Sequence, residues 1–504
     1  MRQREADTLV IGSGWAGTLV AGQLAARGQR VTIVERGADR PWKVQQETSQ
    51  WEGTGPGTER NHVNDPSGLD WPWNYVYAVG GASNRWAGTS ARFLPEDFEM
   101  RSRFGVMRDW PLGYDDLLPD YKVAEREMGI SGPETELMPG GGYPMPAFPF
   151  SPQDEAVRAH LEPFIGLASA RPTKPYRDSP ACCGSARCQL CPVDSRASVY
   201  NRLGDVLESP QVELVPDTVA ARLISDAAGK RIVAAECIGR DGERTRYTAR
   251  RFVVAANGLE SAGLLLRSGL GGGDTGKYLF DHRNAKLLMT TRKPVGVGYG
   301  HSLITGASYR YYTGRHRRER AAALVLPLNS GPPNTTMFGQ VVDGLVAGRT
   351  GKRLRAELVA TWQRSLSFDV YLDDMPDAGA TIRLSRQKDA FGLPKNEVRY
   401  PQQTPYLDRA AAHLLEDVPR RLRSLGAHDA QFLFAPTGAH HLGALRMGAD
   451  GEDGVLDPEM RHRRRENLNV AGGAVFPTYG PAHPTLTIGA LAVRLGRRLA
   501  SERA

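Results

Sequence analysis

Thr8-Leu9-Val10-Ile11 is a short apolar run that breaks into Gly12-Ser13-Gly14-Trp15-Ala16-Gly17, and after it Val20, Ala21, Leu24 and Ala25 recur at helical spacing. A second apolar run, Val31-Thr32-Ile33-Val34, then ends on Glu35. Strand, glycine turn, helix, strand and acid, in that order, are the opening unit of a dinucleotide-binding fold. The first glycine permits a tight turn, the second lets backbone approach a pyrophosphate, and the third lets the helix lie against the sheet. The helix N-terminus adds positive potential for phosphate. Glu35 stands where an acid hydrogen-bonds a ribose diol. Gly12, Gly14, Gly17 and Glu35 are therefore the first expected cofactor-binding residues. A bare glycine-rich turn would leave the agreement of strand, helix and acid unexplained.

The chain around this unit has 504 residues, 40% hydrophobic and 24% charged. That is enough to bury a large core in two domains or one elaborated domain, and it excludes disorder. Lys+Arg 64 against Asp+Glu 56 leaves +8. The excess is spread thinly apart from Arg461-His462-Arg463-Arg464-Arg465. Such runs are ordinarily solvated surface, so nucleic acid is not an expected partner. No stretch approaches the ~18 consecutive apolar residues of a membrane span. The polar start, Met1 to Asp7, lacks a signal-peptide cleavage site, and a cytoplasmic protein is expected.

Residues 40–75 and 132–155 are rich in Gly and Pro and read as loops, the first running over a ligand. Strand patterns return at Val212-Glu213-Leu214-Val215 and at Phe252-Val253-Val254-Ala255-Ala256, the latter leading into a helix through Leu264-Leu265-Leu266. Residues 286–434 alternate apolar and polar, as in Phe368-Asp369-Val370-Tyr371-Leu372, and predict a mostly antiparallel sheet with a helix near 406–424. The chain closes on a strand, Leu468-Asn469-Val470-Ala471, and a helix from Thr485. The expected fold class is α/β: a Rossmann-like cofactor domain built from 1–285 and 435–504, with an α+β substrate domain at 286–434.

Three further groups of residues carry a family resemblance. Val79-Gly80-Gly81-Ala82-Ser83-Asn84-Arg85-Trp86-Ala87-Gly88 is followed by Trp110-Pro111-Leu112-Gly113-Tyr114-Asp115-Asp116-Leu117-Leu118-Pro119-Asp120-Tyr121. Near the end stand His440-His441-Leu442-Gly443-Ala444-Leu445-Arg446-Met447-Gly448, then Val455-Leu456-Asp457-Pro458, Asn467-Leu468-Asn469-Val470-Ala471-Gly472-Gly473, and Pro484-Thr485-Leu486-Thr487-Ile488-Gly489. Together they resemble the glucose–methanol–choline (GMC) family of FAD-dependent oxidoreductases, in the family's order from residue 8 to 497. The resemblance implies FAD, with Gly81, Ser83, Asn84, Val219, Gly473, Pro484 and Thr485 added to the cofactor-binding set. It implies catalytic roles for His440, first residue of the family's His-x-x-Gly-Thr-x-Arg-Met-Gly pattern, and for His483, at its second catalytic position.

Two imidazoles suit alcohol oxidation. The hydroxyl proton must be removed while the α-hydride goes to flavin N5, and a neutral imidazole is a fitting base. A second one holds the developing alkoxide by hydrogen bonding. Either histidine alone would read as a satisfied core residue. His441 is expected to face elsewhere, since the pattern often has Pro there. Arg85 occupies a position where some sugar oxidases of the family carry a histidine bonded to FAD, so non-covalent FAD is expected. Gly472 replaces a common Asp, and Ala444-Leu445 the usual Thr-Cys.

Cys182-Cys183-Gly184-Ser185-Ala186-Arg187-Cys188-Gln189-Leu190-Cys191-Pro192 resembles an iron–sulfur loop of sugar dehydrogenases in the family. It differs in spacing, with two residues rather than three between the last cysteines. Cys182, Cys188 and Cys191 are the candidate cluster ligands, against free thiols, a disulfide or zinc. Asp373-Asp374-Met375-Pro376-Asp377 reads first as a solvated turn and second as an edge facing a cationic sugar.

The resemblance points to oxidation of a hydroxyl on a sugar-like small molecule, as by pyranose oxidases, sugar dehydrogenases and the dehydrogenases that act on aminoglycosides in antibiotic biosynthesis. The electron acceptor, whether O2, a quinone or a redox protein, is left open. A non-redox lyase resembling hydroxynitrile lyases is the alternative on the same fold, distinguished by a flavin that never bleaches with substrate. An NAD(P)-dependent dehydrogenase would rest on the N-terminal glycines alone and leave the histidine motifs without a role.

Overall fold

The computed structural model describes residues 1–45, 47, 61–185, 188, 191–297, 304–329, 337–449 and 454–502. Part of the 40–75 loop and residues 186, 187, 189 and 190 of the thiol loop thus lie outside the described residues.

The apolar runs flanking the glycine turn pair in parallel. Arg2–Ile11 lies between Val31–Val34 and Arg244–Val254, and Val212–Val215 extends the sheet beyond Val31–Val34. Leu468–Val470 pairs in parallel with Phe252 to Val254, at the end of the strand that leads into the helix Asn257–Arg267. Ile232–Gly239 and Thr218–Ser225 complete this seven-stranded sheet in antiparallel fashion. Val10, Ile33, Val253 and Val470 are all buried, as a sheet covered on both faces requires. The helix Trp15–Ala25 packs beside the closing helix Thr485–Ser501, which also meets Tyr114–Met128. Two glycines allow this approach: a Cβ at Gly489 would stand 3.0 Å from Met128 Sδ, and one at Gly496 only 2.7 Å from Gln23 Cβ.

Residues 286–434 give most of a six-stranded antiparallel sheet, ordered His428–Phe434, Arg283–Thr290, Ser365–Leu372, Ala323–Pro327, Gly306–Ser308, Phe164–Gly166. The alternation places Ala285, Leu287, Met289, Leu366, Phe368 and Val370 on one face. The helix Pro405–Arg421 covers that face with Leu407, Ala410, Leu414 and Val418. A third sheet draws strands from across the chain, in the order Leu442–Ala444, Lys277–Phe280, Thr381–Lys388, Pro394–Arg399, His62–Asn64.

Two features depart from the sequence reading. His62–Asn64 is a strand inside the stretch read as loop. Met337–Val346 and Gly351–Gln363 are helices in a region read as sheet; between them Gly348 takes φ 73°, a turn that a strand pattern does not foretell.

The acidic stretch is a correction. Asp373 and Asp374 are neither a solvated turn nor a substrate edge, being 0% and 5% exposed. Asp373 pairs with Arg317 at 2.9 Å and accepts the Ala322 N–H, while Asp374 pairs with Arg283 at 3.3 Å and accepts the Thr404 hydroxyl. Distant arginines absorbed charges that, read locally, looked destined for water.

Candidate active site

An open cavity lies where the glycine turn, the Gly81–Asn84 turn and the start of the closing helix meet. Among the expected cofactor residues, Gly12, Gly14, Glu35, Gly81, Ser83, Val219, Gly473, Pro484 and Thr485 line it, and so does His440. Gly17 and Asn84 do not. The space for a Cβ at Gly17 is taken by the Gly12 carbonyl oxygen at 1.9 Å, so this glycine serves helix–strand packing. Asn84 is buried and donates its amide to the Val79 carbonyl, holding the turn.

The residues fit a dinucleotide. Gly12 has φ 104°, and a Cβ there would strike the Ala255 carbonyl at 2.6 Å, so the fold itself demands glycine. Gly14 is different: its φ is −67° and an added Cβ would meet no protein atom within 4 Å. Protein packing gives no reason for glycine there; close approach of a ligand does. The helix that starts at Trp15 has no side-chain cap and no acid in its first turn, so its first N–H groups remain available to an anion. The Glu35 carboxylate is held by the N–H and hydroxyl of Ser13 on one oxygen and the Gly37 N–H on the other. Burial raises its pKa against these bonds.

Beside the cavity stands a cluster of imidazoles. The rings of His440 and His483 are 5.5 Å apart between centroids and nearly perpendicular. His282, which the sequence reading passed over, lies 4.7 Å from His440 and 6.4 Å from His483. The Tyr371 ring closes the group at 4.1 Å from His483. Burial drives all three imidazoles toward the neutral form, His282 to about 3 and the other two well below their usual value. His282 Nε2 meets the Gly480 carbonyl at 2.9 Å, which fixes the proton there. The Nδ1 atoms of His282, His440 and His483 are buried without hydrogen-bond partners.

Asp281 sits behind His440. One carboxylate oxygen accepts the backbone N–H of His440 at 3.0 Å and lies 3.8 Å from its Nδ1. The other accepts the Trp71 indole N–H at 2.9 Å. Burial pushes this carboxyl up to about 7, against those hydrogen bonds and the nearby Arg283. The signal available in sequence was an Asp-His pair directly after the strand Lys277–Phe280. His441 turns from the imidazole cluster as expected: its Nε2 meets the Gly438 carbonyl and its ring packs on Trp73 and Tyr75.

The cysteines do not form a compact ion site. Among the described residues, the one group of three His, Cys, Asp or Glu donors within 4.8 Å of one another is Asp281, His282 and His440. The thiols of Cys182, Cys188 and Cys191 therefore do not converge as a single zinc ion requires. No disulfide joins any of the five cysteines, against the disulfide reading. Cys191 Sγ accepts the N–H groups of Ser195 and Arg196 at 3.2 and 3.5 Å, and Arg171 approaches Cys188 Sγ at 3.9 Å.

Comparison with known proteins agrees with this architecture. Models of the GMC oxidoreductase family match residues 165–284 and 376–492. The chain belongs to the GMC oxidoreductase family. FAD binding comes with that membership. Among curated relatives, this GMC chain is 29% identical to 6'''-hydroxyparomomycin C oxidase of Streptomyces lividus, covering 98% of this chain and 91% of the relative. It is 27% identical to the fructose dehydrogenase large subunit of Gluconobacter japonicus, covering 97% and 96%. Its fold resembles that of pyridoxine 4-oxidase from Mesorbium loti, with a TM-score of 0.66 at 17% identity over 99% of this chain and 100% of that one. As a GMC oxidoreductase it is an enzyme acting on CH–OH groups. No helix among the described residues is long and apolar enough to cross a membrane.

Proposed function

We propose that this enzyme oxidises a hydroxyl of a sugar or aminoglycoside-like alcohol to a carbonyl. The observation that carries the reading is the pair of neutral imidazoles, half-buried His440 and buried His483, standing 5.5 Å apart beside a cavity that fits FAD. Gly12, Gly14, Glu35, Gly81, Ser83, Val219, Gly473, Pro484 and Thr485 would hold FAD, which would supply a two-electron acceptor for the hydride. His440 takes the hydroxyl proton, and Asp281 faces the resulting imidazolium from the Nδ1 side. His483 stabilises the charge that grows on the alcohol oxygen by hydrogen bonding. Burial of His282 and His483 limits the water that can compete for that proton. Arg85 offers no nucleophile for a covalent flavin link, which supports non-covalent FAD. The domain division follows: residues 1–285 and 435–504 hold the cofactor and 286–434 the substrate.

For the thiol loop, two N–H groups meet Cys191 Sγ and a guanidinium stands 3.9 Å from Cys188 Sγ, donors of the kind that surround the sulfurs of a cluster. They support an iron–sulfur cluster on Cys182, Cys188 and Cys191, whose cysteines bind separate irons and need not converge. Protein purified without oxygen that holds neither iron nor acid-labile sulfide removes that part of the reading.

The reaction is tested by the visible spectrum of anaerobic protein during addition of sugars, glycosides and aminoglycosides. Bleaching of the flavin bands by a member of the panel is the expected result. A flavin that every member leaves oxidised favours the lyase alternative and contradicts the proposal.

A further inference from the structure

The six-stranded sheet has two faces, and the helix Pro405–Arg421 covers only one. The other runs from Tyr371, beside His483, to the edge strand His428–Phe434. Tyr371 pairs with Asn284 across adjacent strands, and two residues along Asp369 pairs with Lys286. Opposite side chains in an antiparallel pair, and those two apart, share a face. Lys286 in turn opposes Leu433 of the edge strand, 38% exposed. Exposure rises outward along this face: 0% for the Asp281 side chain, 14% for His440, 17% for Asp369 and 25% for Lys286. On the opposite side Leu324 and Leu326, which pair with Tyr371 and Asp369, are fully buried, so the face is closed there and open toward the edge strand.

This face carries polar groups that the reaction leaves unused. Asn284 donates its amide to the Thr437 hydroxyl at 3.2 Å, while its Oδ1 is a buried acceptor without a partner. The Tyr371 ring lies 4.1 Å from that of His483 and two residues along its strand from Asp369, between the histidine cluster and the outer pair. Asp369 and Lys286 form an ion pair that is only partly desolvated, so each keeps room for a further hydrogen bond. Two strand residues span about 6.8 Å, roughly one sugar ring, between the positions of Tyr371 and Asp369.

We propose that Asn284, Tyr371, Asp369 and Lys286 form an outer substrate anchor that recognises the remote hydroxyls of a neutral polyhydroxylated ring. Asp369 accepts from a hydroxyl, Lys286 donates to its neighbour, and the ring stacks against Tyr371 while its reacting hydroxyl reaches His440. Neutral charge follows from the pairing: Lys286 cancels Asp369, and the acids that would have drawn a cation, Asp373 and Asp374, are locked to Arg317 and Arg283. The inference rests on the alcohol chemistry proposed above and names the part of the site that selects the alcohol.

The test uses the FAD-loaded enzyme and its Asp369→Asn/Lys286→Met variant, which removes both charges together. Binding is read from the perturbation of the flavin spectrum by D-fructose, D-glucosamine and 1-propanol, alongside flavin reduction by whichever alcohol of the panel bleaches it. Expected are affinity for fructose at least about tenfold weaker in the variant, propanol binding within twofold of wild type, and a limiting reduction rate changed less than threefold. Asp369→Asn alone should weaken fructose and glucosamine together. Loss confined to glucosamine would mean an ammonium site, and it overturns the proposal. Equal loss for all three probes, no loss, or a wild-type enzyme that binds fructose no better than propanol also overturns it. If the variants weaken hexose binding while no alcohol bleaches the flavin, the anchor stands and the proposed reaction fails.

Discussion

Two buried polar clusters of this enzyme look alike by composition and differ in what they leave unfinished. Around Arg317, the terminal guanidinium nitrogens are engaged by Glu96 at 3.0 Å, Asp97 at 2.9 Å and Asp373 at 2.9 Å, so the charge is met although Nε has no hydrogen-bond partner. Asp97 accepts the Tyr312 hydroxyl besides, and Tyr406 donates to the Arg317 carbonyl. Around His440, three imidazole Nδ1 atoms lack partners and a carboxyl is held near neutrality. A buried group whose bonds are made contributes to a unique fold; one whose bonds are missing is held ready for something else. Burial of charge alone does not mark an active site. Unsatisfied burial beside a cavity does.

This contrast can be broken or sharpened by mutation. The largest effect belongs to the cradle that serves the ligand alone. Because a Cβ at Gly14 meets no protein atom, Gly14→Val should fold with the melting temperature of flavin-stripped wild type yet purify without flavin; retention of full FAD would remove the cradle assignment. Arg317→Met leaves three carboxylates facing one another and should cost about 3–5 kcal/mol in urea unfolding, while the folded fraction reduces its flavin at the wild-type rate. Asp281→Asn should do the opposite. An amide beside Nδ1 favours the proton on Nε2, so flavin reduction falls about 10–100-fold with no loss of stability. The tautomer is read directly from the imidazole 15N shifts of His440, and a wild-type tautomer in the variant would contradict the role given to Asp281.

The smallest effect is on pH dependence. Burial holds His282 at about 3, so the unfolded chain, with imidazoles near 6.5, takes up its proton first as pH falls. The stability this neutral residue allows is complete above about pH 6.5 and is lost from there toward pH 3. His282→Asn should flatten the stability curve between pH 6.5 and 4 by at most about 1.4 kcal/mol per pH unit. Asp281 acts in the reverse direction. With its carboxyl raised to about 7, folding loses stability as pH climbs from about 4 to 7.

The nucleotide unit was legible because its physics is local. The turn at Gly12, the apolar strands and Glu35 lie within 28 residues of one another, and each obeys a spacing rule. His440 and His483 came from motif order rather than from any local rule, and their convergence with His282 and Tyr371 needs four separate chain segments to meet. The acidic stretch misled for the same reason. Asp373 and Asp374 are neutralised by Arg317 and Arg283, 56 and 91 residues away, and no window of sequence contains that pairing. Asp369 gave no signal at all: it is an ordinary polar position in an alternating strand, and only the register with Lys286 sets it on the open face.

The central claim is that His440 accepts the proton of a substrate hydroxyl beside bound FAD. Its most direct test is anaerobic rapid mixing of His440→Ala with the alcohol that bleaches the wild-type flavin. The account predicts full FAD occupancy, an unchanged melting temperature and flavin reduction slowed about 10²–10⁴-fold. Reduction at the wild-type rate in a variant that still holds its flavin would contradict it.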